Sequence, residues 1–338
     1  MAPTAPLRAG LHEGGLNTLR HGVLNSLRLL CMVFLALLLA GCQVDLPLKD
    51  LKDRYGSGAS RFLPMDGIEV HWRDEGPADA PVLLLLHGTA SSLHTWDGWV
   101  EQLRPQWRIV RLDLPGFGLT GPHPSDDYST AAMIDFLDRF VKAAGLTRFA
   151  IAGNSLGGQY AWRFALRHPE QVSALILIDA AGYPLRLEGP GTLGLRLARM
   201  PVVGDLLRLA PVEGFTRNGL NAVYGDRSRV GEPLVTRHAE LMLRPGNRAA
   251  LSARARTVDP RDDSWRQLPR LSVPTLVLWG ERDTWIKPDF GKRFAQDIPG
   301  ARLITYPDLG HVPMEEDPVR TARDTAAFLR QTSRGLSR

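Results

Sequence analysis

The stretch that decides the fold is Phe149-Ala-Ile-Ala-Gly-Asn-Ser155-Leu-Gly-Gly-Gln-Tyr160. The apolar residues before Gly153 predict a short buried strand. Leu156 and Tyr160 are four residues apart, which places them on one face of a helix that Pro169 ends. Ser155 therefore lies at the corner where a strand turns directly into a helix.

A residue at such a corner has a strained backbone, and its side chain is exposed. A side chain at Gly153 or Gly157 would collide with the turn, so small residues on both sides of Ser155 are a steric requirement. The free N–H groups at the start of the helix favour the negative charge that forms on a substrate oxygen during acyl transfer. An ordinary turn is the alternative in a chain with 33 glycines, but the flanking strand and helix favour a nucleophile.

The composition is that of a globular protein. The chain has 338 residues, of which 44% are apolar and 23% charged, so it can form one large α/β domain with an insertion. The net charge of +5 is mild for this length. We expect no nucleic-acid partner, because proteins that bind nucleic acids concentrate basic residues on one face.

Apolar runs that alternate with helical patterns predict an α/β fold with a mostly parallel sheet and helices on both faces. The predicted strands are residues 68–72, 81–86, 108–113, 149–153, 172–179, 274–280 and 301–306. No strand is predicted between Tyr183 and Arg270, where glycines and prolines interrupt helical patterns. The simplest organisation is a core of residues 62–182 and 271–334 with a helical cap at residues 183–270.

A serine nucleophile needs a neighbouring base, normally a histidine that a carboxylate holds in one tautomer. In a parallel sheet, functional groups lie on loops at the carboxyl ends of the strands. Asp283 follows the second-last predicted strand and His311 follows the last, so Ser155, Asp283 and His311 have the chain order expected for a serine on such a turn. Glu281 and Asp179 are alternatives for the acid.

The N–H groups of Thr89 and Leu156 are predicted to bind the oxyanion. His87 is interpreted as structural, because it precedes Gly88-Thr89, whose backbone can approach the substrate. Asp113 is expected to stabilise its own turn.

These residues resemble the α/β-hydrolase fold superfamily over residues 60–330. The motifs that carry the resemblance are His87-Gly88, Asp113-Leu-Pro-Gly-Phe-Gly118, Gly153-Asn-Ser-Leu-Gly157, Gly280-Glu-Arg-Asp283 and Gly310-His311. The resemblance implies an α/β-hydrolase fold and a serine nucleophile. It leaves the substrate open, since the superfamily includes esterases, lipases, perhydrolases and hydrolases of carbon–carbon bonds.

Residues 1–41 predict an export signal, in which three arginines precede the uncharged run at residues 29–40. This run is shorter than the roughly 20 residues of a membrane-spanning helix. Leu39-Ala40-Gly41-Cys42 resembles the lipobox of bacterial lipoproteins, which implies cleavage before Cys42, lipidation of Cys42 and attachment to the outer membrane or the periplasmic face of the inner membrane. A plain N-terminal anchor helix is the alternative. Residues 42–61 are predicted to be a polar tether.

The expected activity is that of a membrane-anchored serine carboxylesterase that needs no metal or organic cofactor. A carbon–carbon bond hydrolase of diketo acids is an alternative, although those enzymes commonly have tryptophan where this chain has Val312. A non-catalytic binding module of the cell envelope is a third hypothesis. Apolar cap residues are candidates to line a pocket for an apolar acyl group, with packing between cap helices as the alternative: Leu206, Leu207, Leu209, Leu241 and Met242.

Overall fold

The computed structural model describes residues 43–184, 200, 211–257, 259 and 261–335 of the chain. The predicted signal peptide, Cys42 and the cap residues 185–199 and 201–210 lie outside the described residues. The chain divides into two compact units, one of Met1–Gln43 with Leu209–Pro211 and one of Val44–Arg208 with Val212–Arg338. The helices and strands given below belong to the second unit. None of the described helices has both the length and the apolar character needed to cross a membrane.

The described residues form one sheet of eight strands. The strands are β1 (Ser60–Met65), β2 (Ile68–Glu75), β3 (Val82–Leu86), β4 (Arg108–Leu112), β5 (Phe149–Asn154), β6 (Val172–Ile178), β7 (Thr275–Gly280) and β8 (Arg302–Tyr306). Their spatial order is β1-β2-β4-β3-β5-β6-β7-β8. β2 is antiparallel to β1 and β4, and all other neighbouring strands are parallel. The prediction of a mostly parallel sheet is confirmed.

Helices cover both faces of this sheet. The described helices are α1 (Leu48–Tyr55), α2 (Asp97–Leu103), α3 (Thr130–Ala143), α4 (Leu156–Arg167), α5 (Val212–Val223), α6 (Glu232–Met242), α7 (Asn247–Thr257), α8 (Asp289–Asp297), α9 (Pro313–Glu316) and α10 (Pro318–Gly335). Short 3-10 helices span Leu93–Trp96, Arg227–Arg229 and Ser264–Arg270.

Successive residues of β5 point to opposite faces of the sheet and so enter different hydrophobic cores. Ile151 packs in a core that includes Phe140 of α3 and Phe164 of α4. Ala152 packs in a second core that includes Trp99 of α2 and Phe328 of α10. Both faces of the central strands are therefore apolar, as the continuous apolar run of β3 predicted.

The described residues between β6 and β7 form helices and no strand. Residues 211–270 contain α5, α6 and α7 together with two of the 3-10 helices. This agrees with the predicted absence of strands in that part of the chain. The limits of the cap at residues 183 and 270, and its role as a cap, stay predictions.

The structure corrects the prediction of a polar tether at residues 42–61. Residues 48–55 form α1, and its buried Leu51 packs with Leu119 and Leu241. The hydroxyl of Tyr55 donates to Glu240 Oε2 of α6 at 2.7 Å. Charged residues dominate the sequence of this segment. Its apolar stripe at helical spacing, which includes Leu51 and Tyr55, becomes evident only from the surface of the protein against which it packs.

Candidate active site

Ser155 occupies the turn between β5 and α4. Its φ of 53° and ψ of −116° lie in a region that residues with side chains rarely adopt. A Cβ on Gly153 would lie 2.3 Å from the backbone of Gly157, and a Cβ on Gly157 would lie 2.2 Å from the carbonyl oxygen of Leu86. The predicted need for glycine on both sides of the serine is confirmed, because a larger residue would displace the neighbouring backbone.

The loop after β3 lies against this serine. A Cβ on Gly88 would lie 3.2 Å from Ser155 Cβ. Thr89 follows and is exposed, while the next residue, Ala90, has a φ of 56°. Leu156 is the first residue of α4, where N–H groups have no partner within the helix. The two segments predicted to bind an oxyanion therefore border Ser155.

The His311 imidazole is paired with the Asp283 carboxylate. His311 Nδ1 lies 2.7 Å from Asp283 Oδ2, and both residues are buried. Asp283 Oδ1 accepts hydrogen bonds from the N–H groups of Trp285 at 2.7 Å and Ile286 at 3.0 Å. These bonds orient the carboxylate so that His311 donates through Nδ1, which leaves Nε2 free to accept a proton.

Asn154 links the serine corner to the histidine loop. Its Nδ2 donates to the carbonyl oxygen of His311 at 2.9 Å and to that of Ile178 at 3.2 Å. Ser155, the next residue, is therefore held in a fixed position relative to the loop that carries His311. This role of Asn154 is not predictable from the sequence, because nothing near it in the chain indicates contact with a residue 157 positions away.

The two alternative acids, Glu281 and Asp179, have hydrogen-bond partners other than His311. Glu281 is exposed, and its Oε1 accepts a hydrogen bond from Thr305 Oγ1 at 2.6 Å. Asp179 is buried and accepts a hydrogen bond from the Gly280 N–H at 3.0 Å. Burial and the nearby charge of Asp283 raise the pKa of Asp179 well above its usual value. Asp179 therefore keeps its proton over a wider pH range than a free aspartate.

Asp179, Asp283 and His311 each offer a metal-ligating atom, and these atoms lie within 4.8 Å of one another. Both oxygens of Asp283 already have partners in the protein, one of which is His311 Nδ1. The cluster is thus explained as an acid–base pair with a second carboxyl beside it. The expectation that the reaction needs no metal stays a prediction.

Glu316 is a buried carboxylate between the histidine loop and the helices that follow β6. Its Oε1 accepts a hydrogen bond from the Gly310 N–H at 2.6 Å. Its Oε2 accepts from the N–H groups of Gly225 at 2.9 Å and Asp226 at 3.1 Å. Burial raises the pKa of Glu316 above its usual value. This side chain ties the turn after α5 to the residue that precedes His311.

The carboxyl end of α5 bonds directly to the loops of Asp283 and His311. The His311 N–H donates to the carbonyl oxygen of Val223 at 2.7 Å, and the Thr284 hydroxyl donates to that of Ala222 at 3.0 Å. These bonds satisfy carbonyl groups that a helix leaves unpaired at its end. This contact is not predictable from the sequence, because its partners are more than sixty residues apart in the chain.

His87 and Asp113 are structural, as predicted. His87 Nδ1 donates to the Gly88 carbonyl at 2.7 Å, and its Nε2 accepts from the Leu114 N–H at 3.0 Å. Burial lowers the pKa of His87 to about 4, so the ring is neutral at pH 7. Asp113 Oδ2 accepts from the Leu119 N–H at 2.7 Å, which stabilises its own turn.

A small cavity of about 20 Å³, enough for about one water molecule, lies between the loop after β3 and helices α6 and α7. Leu241 and Met242 line it, and both also pack against neighbouring apolar residues, so a pocket for an acyl group stays a prediction. The other three candidates, Leu206, Leu207 and Leu209, lie outside the described residues.

Residues 81–318 match a family model described as the alpha/beta hydrolase fold. The match covers more than half of the chain and includes the serine corner, Asp283 and His311. This chain therefore belongs to the alpha/beta hydrolase fold family and is a hydrolase.

Similar proteins are named as two kinds of hydrolase. The chain is 28% identical over 292 residues to the 2-hydroxy-6-oxononadienedioate/2-hydroxy-6-oxononatrienedioate hydrolase of Burkholderia vietnamiensis, which covers 81% of this chain and 97% of that protein. It is 27% identical over 256 residues to Lipase 3 of a Moraxella species, covering 73% and 76% of the two chains. A crystal structure described as a membrane phospholipase A superposes with a TM-score of 0.66 at 26% identity and covers 94% of this chain and 98% of its own.

Proposed function

We propose that this protein is a membrane-anchored serine hydrolase that cleaves carboxylic esters through an acyl-enzyme on Ser155. The observation that carries the proposal is a serine on a strained corner whose neighbour Asn154 bonds to the His311 loop, while His311 is paired with Asp283 at 2.7 Å. Ser155 is the nucleophile, His311 the general base and Asp283 the carboxylate that orients it.

In the first half-reaction, His311 Nε2 takes the proton from Ser155 as the serine Oγ attacks the ester carbonyl carbon. The N–H groups of Thr89 and Leu156 stabilise the oxyanion. Asp283 stays ionised and stabilises the imidazolium. The carbonyl reforms as the bond to the leaving alcohol breaks, and His311 gives the proton to the alcohol oxygen.

In the second half-reaction, His311 takes a proton from a water molecule, and the water oxygen attacks the acyl-enzyme. The bond between Ser155 Oγ and the acyl carbon breaks, and His311 returns the proton to the serine. One ester and one water thus yield one carboxylic acid and one alcohol. An apolar acyl group is proposed for the substrate, on the apolar character of Leu241 and Met242 beside the loop after β3.

The test is the variant Ser155→Ala, with the exposed Ser125→Ala as its control. We expect kcat on a short-chain chromogenic ester to fall by on the order of 10⁴-fold or more in Ser155→Ala and to stay unchanged in the control. A fluorophosphonate probe should label wild-type protein at Ser155 only. Undiminished turnover by Ser155→Ala would show that this serine is not the nucleophile, and a folded wild-type protein that neither reacts with the probe nor turns over would favour a binding module.

A carbon–carbon bond hydrolase is the second candidate, and the Burkholderia relative at 28% identity favours it. Ser155, Asp283 and His311 would serve that reaction as well. The deciding measurement is kcat/KM on a short-chain ester and on a diketo acid from ring cleavage. Ester hydrolysis should be faster, and faster cleavage of the diketo acid would replace the proposed substrate class.

The membrane anchor is proposed from the sequence of residues 29–42, and the similarity to a membrane phospholipase A supports it. Cells grown with an alkyne-labelled fatty acid should yield labelled protein in the membrane fraction of the bacterial envelope. Cys42→Ala should remove the label and release the protein from the membrane. Retention of both label and membrane attachment in Cys42→Ala would contradict the lipoprotein assignment.

A further inference from the structure

We propose that Trp285 is a further positioning residue for the reaction at Ser155. The face of its indole ring orients the His311 imidazole and stabilises the positive charge that this imidazole carries once it has taken a proton. The inference rests on the proposed hydrolysis through Ser155 and adds a group that acts on the base rather than on the substrate. It follows from two contacts, one with each member of the Asp283–His311 pair.

The first contact joins the ring of Trp285 to the ring of His311. The ring centroids are 6.2 Å apart and the ring planes are within 22° of parallel. This is an offset-stacked pair, at a separation at which aromatic rings attract each other. Trp285 is half-buried and packs against the hydrophobic core that also contains Phe164 of α4. An aromatic ring that is itself held by the core therefore lies beside one face of the imidazole.

The second contact joins the backbone of Trp285 to the acid. Its N–H donates to Asp283 Oδ1 at 2.7 Å, while Asp283 Oδ2 lies 2.7 Å from His311 Nδ1. One residue thus orients the carboxylate through its backbone and the imidazole through its ring. A change of the Trp285 side chain keeps the backbone N–H, so it removes the ring contact without removing the donor to Asp283.

The chemistry of the base gives the ring contact a role in the rate. His311 is neutral before it takes a proton and is a cation in the transition states of both half-reactions. The face of an aromatic ring is partly negative and attracts a cation more strongly than a neutral ring. Trp285 therefore stabilises the imidazolium more than the resting imidazole, which lowers the barrier rather than tightening substrate binding.

Three carboxyl groups also bear on the charge of His311. Asp283 bonds to the imidazole, and Asp179 offers an oxygen within 4.8 Å of the ligating atoms of this pair. Glu316 of α9 accepts from the N–H of Gly310, the residue before His311. All three groups are kept when only the side chain at position 285 is changed, so variants at this position isolate the effect of the ring.

The indole nitrogen makes a conservative replacement available. Trp285 Nε1 is buried and has no hydrogen-bond partner among the residues that the structure describes. Trp285→Phe therefore removes no hydrogen bond and keeps an aromatic face, whereas Trp285→Leu keeps an apolar side chain without that face. Trp265→Leu is the matched control, because Trp265 is also half-buried and packs against the same core, but its ring contacts Tyr183.

The experiment measures kcat and KM for a short-chain chromogenic ester as a function of pH. We expect Trp285→Leu to lower kcat and kcat/KM alike, by about two- to tenfold, with KM unchanged. The acid limb of its kcat/KM profile should move about 0.3–1 pH unit lower, because the protonated base loses stabilisation relative to the neutral base. Trp285→Phe should stay near wild type, and Trp265→Leu should leave the acid limb in place.

A general loss of folded protein would lower kcat without moving the acid limb to lower pH. If Trp285→Leu does not fold, the test is pentafluorophenylalanine at position 285, compared with Trp285→Phe. Fluorination reverses the charge of the ring face and nearly preserves its shape, so this variant should be slower and its acid limb should lie at lower pH. Equal profiles for the fluorinated and unfluorinated rings, or an equal shift in Trp265→Leu, would overturn the proposal.

The proposed function fails by a different result. Ser155→Ala tests the nucleophile without any change at position 285. If wild-type protein cleaves a diketo acid and no ester, ester hydrolysis is refuted, and the same pH profiles on the diketo acid still test Trp285.

Discussion

At the scale of single residues, two buried aspartates lie beside His311 in different surroundings. Asp283 accepts hydrogen bonds from His311 and from the backbone N–H groups of Trp285 and Ile286. Asp179 accepts one from Gly280, and burial together with the charge of Asp283 raises its pKa. His311 thus bonds to Asp283, while Asp179 lies beside this pair with a pKa above its usual value.

This difference predicts different effects of replacing each aspartate with asparagine. An asparagine at position 283 would turn its NH₂ group either towards His311 or towards the two backbone N–H donors. Either orientation would disturb the hydrogen bonds that fix the tautomer of the imidazole. We expect kcat/KM for Asp283→Asn to fall by about 10⁴-fold, and much less for Asp179→Asn, which resembles the protonated acid. Ester turnover of purified, folded variants measures both. A larger loss in Asp179→Asn would mean that the acid is Asp179.

Asp179 also predicts how stability depends on pH. Its pKa in the folded protein lies above the value of about 3.9 in the unfolded chain, so the folded state holds an extra proton between the two values. The contribution of Asp179 to stability is therefore complete below the unfolded pKa and is lost as pH rises through the folded pKa. Asp179→Asn cannot ionise and should gain stability relative to wild type as pH rises. Urea unfolding of both proteins between about pH 4 and pH 8 measures this gain. A difference in the free energy of unfolding that stays constant with pH would contradict the prediction.

At the scale of elements, the carboxyl end of α5 is joined to the loops that carry Asp283 and His311. The backbones of Gly225 and Gly310 are so close that a Cβ on Gly310 would lie 2.4 Å from the nitrogen of Gly225. Glu316 binds N–H groups on both sides of this contact. A shift of α5 therefore displaces His311 as well.

We predict that Glu316→Gln lowers both stability and turnover. One end of the glutamine amide is a donor, so at least one of the three N–H groups loses its acceptor, at a cost of about 1–3 kcal/mol. The exposed Glu281→Gln is the matched control and should behave like wild type. Denaturant unfolding measures the free energy of unfolding. Turnover is expressed as kcat per site that reacts with the fluorophosphonate probe, which corrects for unfolded protein. Wild-type values in Glu316→Gln would show that the contact does not position His311.

Two glycine substitutions test the local geometry of helices. A Cβ on Gly219 of α5 meets no atom within 4 Å, so Gly219→Ala should raise the free energy of unfolding by about 0.5–1 kcal/mol. A Cβ on Gly157 would lie 2.2 Å from the Leu86 carbonyl oxygen. Gly157→Ala should therefore lower the free energy of unfolding by about 1–3 kcal/mol or more and should also reduce activity. Thermal and urea unfolding measure the stability of both variants against wild type. Tolerance of alanine at position 157 would contradict the tight corner.

At the scale of the whole molecule, the arginines of the segment after β6 raise the question of electrostatic steering. Residues 183–270 contain fifteen arginines, no lysine and nine acidic residues, a net charge of +6 (15 − 9), against +5 for the entire chain. Solvated helix faces and attraction of an anionic membrane or substrate are both consistent with that count. In the structure, Arg217 pairs with Glu232 and Arg248 with Asp45, both at 2.7 Å, and the buried Arg254 donates to the Pro115 carbonyl. These contacts favour a structural use of the arginines.

We therefore expect added salt to change kcat/KM alike for a neutral and an anionic ester of the same length. Steering would instead make the anionic ester lose rate selectively as ionic strength rises, since salt screens charges beyond roughly 10 Å. Initial rates between about 20 mM and 500 mM NaCl, about a fivefold range of Debye length, provide the comparison. A selective fall for the anionic ester would restore the steering hypothesis.

Much of the core was predictable because its signals are local. The apolar run of β3, the glycines around Ser155 and the positions of Asp283 and His311 after their strands all follow from short stretches of sequence. α1 was not predictable from the same rules, because its apolar stripe has meaning only against the surface of α6. The roles of Asn154 and Glu316 were missed for a similar reason, since their partners lie in distant loops.

The sequence by itself determined the alternation of strands and helices in the core from β2 onward, the serine corner and the loops on which the acid and the base lie. These features depend on side-chain periodicity and on steric limits within a few residues. Only the tertiary structure decided that Asp283 rather than Asp179 bonds to His311 and that Glu316 joins the turn after α5 to the histidine loop. The physical reason is that a hydrogen bond depends on which donors and acceptors meet in space, and that meeting is set by the packing of segments far apart in the chain.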